Sequence, residues 1–153
     1  MARFNFKLQA LLKVKTQIED NLKNELGKAI RRLEEEKAKL RRLEFERSRY
    51  IFEFNEKSRK TTVNSLIKFN SYISLLASKI LYQKENINLA EQNVDKVREE
   101  LIKIVKEREI LDKLKEKKYE AYLFEQLKDE QRLNDELISY RQTDQHTGDK
   151  NGE

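Results

Sequence analysis

The chain has 153 residues, 40% of them charged, with three Gly and no Pro, Trp or Cys. A compact globe turns its chain with Gly and Pro, so this composition excludes one and points to a single extended helical domain. The net charge of +5 is concentrated early: residues 1–50 hold 14 Lys or Arg against 8 Asp or Glu, whereas residues 51–153 hold 19 against 20.

A first helix is predicted from about Phe4 to about Phe54. Its apolar stripe reads Phe4, Leu8, Leu11, Ile18, Leu22, Leu26, Ile30, Leu33, Leu40, Leu43, Tyr50 and Phe54, with Lys15, Lys37 and Arg47 between. The steps from Leu22 to Leu26 to Ile30 are four and four, a stutter that would locally unwind a supercoil. Gly27 lies inside it, at a cost of about 1 kcal/mol relative to Ala; a bend or close helix approach on one side and an inert defect on the other are equal readings. Lys28, Arg31, Arg32, Lys37, Lys39, Arg41 and Arg42 carry the excess charge of this helix. The cluster reads first as a solvated helical face; because Glu34, Glu35 and Glu36 interrupt it, its functional reading is an acidic protein partner rather than nucleic acid or anionic lipid.

Residues 55–65 hold one apolar residue in eleven, and Ser58, Thr61, Thr62, Asn64 and Ser65 are helix-capping types. A loop is expected here, with Thr61 to Ser65 supplying the next cap. A second helix of about 75 residues then runs from about 66 to about 141, roughly 110 Å long at 1.5 Å per residue. From Leu66 to Tyr122 it steps by three and four through seventeen positions. Thirteen are apolar: Leu66, Phe69, Ile73, Leu76, Ile80, Ile87, Ala90, Val94, Val97, Leu101, Ile104, Leu111 and Tyr122. A 3.5-residue period held that long lays one narrow seam along a helix and needs a partner helix. The helical part is thus read as one domain over residues 1–142, and the polar residues 143–153 as a disordered tail.

Two helices and one short loop make an antiparallel coiled-coil hairpin, all-α, monomeric by itself. With the turn near residue 60, facing residue numbers add to about 120. Leu22 then meets Val97 or Leu101, Leu40 meets Ile80, and Phe54 meets Leu66. The second helix outreaches the first and carries Tyr119, Tyr122, Leu123, Phe124, Leu127, Leu133 and Leu137 past it. An unpartnered helix with that much apolar surface is suited to insertion into another protein. Aromatics crowd the turn end, where they either thicken the packing as the hairpin closes or, as exposed rings, mark a second interface.

No catalytic, cofactor-binding or metal-binding residues are read from the chain. His146 is the single histidine and lies in the tail, and no His–carboxylate spacing on one helix face suggests a metal site. No stretch approaches the roughly 18 apolar residues of a membrane span. The amino terminus, broken by Lys7 and Lys13, does not read as a signal peptide, so the cytoplasm is the expected location.

Phe4-Asn-Phe6-Lys-Leu8-Gln9-Ala-Leu11-Leu12 resembles the amino-terminal pattern of the FliJ family of flagellar export proteins. The same holds for the run from Arg108 through Leu111 and Leu114 to Tyr119, and for Asp129-Glu130-Gln131 through Leu133 to Asp135-Glu136. The resemblance implies a stalk of the type III export apparatus, peripheral to the inner membrane. It implies partners: an export ATPase hexamer, the cytoplasmic domain of the export gate, and export chaperones. By similarity, Phe4, Phe6, Leu8, Leu11, Leu12, Tyr119, Leu123 and Leu127 would contact the ATPase ring, and Leu43, Tyr50, Tyr72 and Leu76 the gate. A purely structural coiled-coil scaffold and a general export chaperone are the alternatives.

Overall fold

The computed structural model describes residues 3–57 and 61–148. They form two helices, α1 (Gln9–Lys57) and α2 (Val63–Gly148), packed antiparallel as a hairpin, with no strand among the described residues. None of these helices is long and apolar enough to cross a membrane. Both outrun their expected ends, and α2 takes in residues 143–148, where disorder was expected. The remainder of that tail, and residues 58–60 of the expected loop, lie outside the described residues.

The start of α2 follows from Thr62. Its hydroxyl accepts the backbone N–H of Ser65 at 3.3 Å, and its carbonyl accepts that of Leu66 at 3.2 Å. This satisfies helix-start donors that have no partner within the helix. The start of α1 is later than expected because residues 3–6 are not helical. The Phe6 carbonyl accepts the Gln9 N–H at 3.1 Å, and a turn at residues 7 and 8 leads into the helix.

The described chain divides into two compact units, Thr16–Val105 and Met1–Lys15 with Lys106–Glu153. In the first, the α2 seam holds as read: Leu76, Ile80, Ala90, Val94 and Val97 are buried, and Phe69, Ile73, Ile87, Leu101 and Ile104 half-buried. Gln83, the polar seam position, is buried too. Leu66 departs from it and is exposed, because Phe54 stacks on Phe69 instead, with ring centroids 3.8 Å apart.

The α1 seam differs from its sequence reading. Glu19, Leu22 and Ala29 are buried, Leu26, Leu33, Glu36, Leu40 and Leu43 are half-buried, and Ile30 is exposed. These positions step by three and four throughout, so the supposed stutter is absent. A Cβ added at Gly27 would meet nothing within 4 Å, which leaves Gly27 as an inert defect and removes the close-approach reading. Glu19 reaches Lys23 at 3.2 Å, keeping a buried carboxylate paired.

Midway along this unit two polar seam residues, Glu36 and Gln83, meet. The Gln83 amide donates to the Glu36 backbone carbonyl at 2.8 Å and also to its carboxylate. The Glu36 carboxyl is held below its ordinary value of 4.5, chiefly by the Gln83 hydrogen bond and further by Lys39. A polar pair inside an apolar seam fixes register, because any slip buries both groups unpartnered. Glu36–Gln83, Glu46–Tyr72 and Phe54–Phe69 have residue numbers adding to 119, 118 and 123, around the expected 120.

In the second unit, Phe6, Leu12 and Leu111 form the core, with Phe4 and Leu114 packed against it. Lys15 pairs with Glu107 across the helices at 2.7 Å. Burial falls away along α2 after Tyr122, and from Leu127 to His146 every residue is exposed.

Candidate functional site

Two surfaces offer apolar groups to a partner, one in each unit. In the unit that holds the amino terminus, residues 3–6 lie against α2 because Phe6 is drawn into the core. Phe4 is thereby set edge-on to Tyr119, with centroids 5.2 Å apart, and 5.5 Å from Tyr122. The rings are close enough to hold one another in place, each such pair being worth about 0.5–1.5 kcal/mol beyond its buried area. Phe4, Phe6, Leu8, Leu114 and Tyr122 line an open recess of about 720 Å³, rimmed by Arg3, Lys7, Lys118, Glu125 and Asp129.

Further along α2, Leu123, Leu127, Leu133, Leu137 and Tyr140 are exposed, as are Phe124 and Ile138. Lys128 lies 4.8 Å over the Phe124 ring, a cation–π contact that partly shields that one side chain. A run of exposed apolar residues on one helix is the kind of surface that protein partners cover.

In the other unit, Tyr50, Phe54, Phe69 and Tyr72 form a continuous ring cluster. Tyr50 lies 5.4 Å from Phe69 and 4.4 Å from Tyr72. The Tyr72 hydroxyl donates to the Glu46 carboxylate, which pushes its ionisation above the ordinary tyrosine value of 10.0. Glu46 thus orients Tyr72, which is half-buried. Phe45 and Phe52, on another face of α1, are exposed.

The residues expected at the ATPase ring fall into two kinds. Leu8, Leu11, Tyr119, Leu123 and Leu127 are exposed and Phe4 is half-buried, but Phe6 and Leu12 are core residues. Of the expected gate residues, Leu43, Tyr50 and Tyr72 are half-buried, and Leu76 is the most enclosed side chain, 1% exposed. Phe6, Leu12 and Leu76 are therefore packing residues here, supporting neighbours that reach the surface. Sequence reasoning missed Glu46 as the group that holds Tyr72. Its signal was available: 46 and 72 add to 118, near the sum that defines facing positions.

The profile of the family described as "Flagellar FliJ protein" matches residues 4–146. The chain belongs to the FliJ family. A solved structure described as that of a YscO homologue from Chlamydia trachomatis is 25% identical to it, with a TM-score of 0.53. That match covers 99% of this chain and 100% of the other. No curated protein matches the chain. Membership in the FliJ family makes the chain a component of a flagellar or type III export system.

Proposed function

We propose that this FliJ-family chain is the stalk of the export apparatus, which enters the export ATPase ring with its two termini, promotes ring assembly and raises ATP hydrolysis. The observation that carries the reading is the end of α2. Leu123, Leu127, Leu133 and Leu137 are exposed on a helix that runs to Gly148, beside a recess built from Phe4 and Tyr122. A surface of that kind buries apolar area only when a partner covers it, and at about 25 cal/mol per Å² that area supplies a driving force for insertion. The Tyr50–Tyr72 cluster with Leu43 is the second contact, to the cytoplasmic domain of the export gate. In this reading the protein is a cytoplasmic, non-catalytic adaptor that also meets export chaperones and works as one hairpin domain at the inner membrane.

The test is the hydrolysis rate of the cognate export ATPase with the full chain and with a chain ending at Lys118. The full chain is expected to raise the rate and the shortened one to leave it at its basal value. Equal stimulation by both would overturn the stalk role.

A further inference from the structure

A third surface, in the Thr16–Val105 unit, is used by neither of these contacts. Leu75, Tyr82 and Leu89 recur every seven residues on α2, each just before a seam residue, and are 49%, 70% and 54% exposed. At 1.5 Å per residue the ridge spans about 21 Å, four turns of helix. Across from it, α1 presents Lys28, Arg31, Arg32 and Lys39. Lys39 is committed to Glu36 at 3.4 Å and the charge of Arg32 also acts on that carboxylate, whereas Lys28 and Arg31 form no ion pair with any described residue. A recess of about 500 Å³ joins the two ridges, with Arg32 and Glu36 on one wall and Tyr82, Asn86, Leu89 and Asn93 on the other.

We propose that this face docks an acidic amphipathic helix of another protein. Its apolar stripe would lie along Leu75, Tyr82 and Leu89, and its carboxylates would meet Lys28, Arg31 and Arg32. Charge complementarity selects this occupant. A second copy packed face to face about a two-fold axis would bring the same cations against one another. Nucleic acid would find a single stacking ring, Tyr82, with Glu35 standing among the cations. A lipid surface needs apolar groups to enter it, and here Asn86 and Asn93 flank Leu89. The inference does not depend on the stalk reading, since none of these residues belongs to the surfaces assigned to the ring or the gate.

The experiment titrates the full chain into a labelled, stapled helical peptide of about four turns. Leu is placed at helical spacing on one face and Glu on both flanks. A scrambled peptide of equal composition, phosphatidylserine vesicles and a short single-stranded RNA are measured alongside. The ordered peptide is expected to bind, more weakly as salt rises. The variants Arg31→Glu/Arg32→Glu and Tyr82→Ser/Leu89→Ser are each expected to lower affinity about tenfold or more. A Lys-flanked peptide is expected to bind the Arg31→Glu/Arg32→Glu variant, which shows that variant to be folded. Stimulation of the ATPase should be unchanged in both variants, so failure here is distinguishable from failure of the stalk reading. Equal binding of ordered and scrambled peptides, no peptide binding, binding only to vesicles or RNA, self-association through this face, or unaltered affinity in both variants would each overturn the proposal.

Discussion

Leu76 and Leu137 are the same side chain on the same helix, yet one is 1% exposed and the other 58%. Around Leu76, α2 keeps apolar groups at strict steps of three and four and α1 answers with a matching seam. Around Leu137, apolar residues are sparser, and no described residue covers Leu133, Leu137, Ile138 or Tyr140. The first arrangement stabilises the protein. The second buries little apolar area among the described residues, and the proposed stalk role supplies a partner for it.

That contrast can be broken by making one substitution in both places. Leu76→Ala is expected to cost about 2–5 kcal/mol in urea unfolding, through lost transfer energy and a residual cavity. Leu137→Ala is expected to change stability by less than about 0.5 kcal/mol. A similar loss at both sites would show that the end of α2 is covered within the molecule.

Acid titration sharpens the account of the Thr16–Val105 unit. Because the folded Glu36 carboxyl lies below its ordinary value of 4.5, its contribution to stability is complete above that pH. It is lost as the pH falls through the lower folded value. Melting temperature should therefore drop on acidification below pH 4.5, and Glu36→Gln should flatten that part of the profile. An unaltered slope would mean the Gln83 contact does not hold the charged form.

A smaller effect is expected at Gly27, where an added methyl meets open space and the backbone is not in a positive-φ conformation. Gly27→Ala should raise stability by about 1 kcal/mol through helix propensity alone. A loss instead would restore the close-approach reading.

These particulars show where the sequence was legible. The α2 seam could be read almost residue by residue because apolar side chains fill nearly all of it. On α1 the choice of the greasier neighbour at each turn selected Ile18 and Ile30, whereas the helix buries Glu19 and Ala29. Small and long-stemmed charged residues fit a narrow seam, and hydrophobicity alone does not find them. Strict continuation from Leu22 and Leu26 would have given Ala29, Leu33, Glu36 and Leu40. Gln83 was visible as a polar step in the α2 seam, but Glu36 was not, because Lys37 was read at that turn of α1; their pairing across the hairpin explains both. At the amino terminus, helical spacing of Phe4, Leu8 and Leu11 suggested a helix. The burial of Phe6 required residues 3–6 to leave it, a tertiary effect that no local pattern encodes. Exposure of the α2 end was read directly, since the second helical stretch is longer than the first.

The most direct measurement is oxidation of a Glu36→Cys/Gln83→Cys variant in this otherwise cysteine-free chain. Their native side chains touch, so the fold predicts a disulfide formed within single molecules and a product that remains monomeric at all protein concentrations. A bond that forms only between molecules, giving covalent dimers in proportion to concentration, would contradict the hairpin and everything built on it.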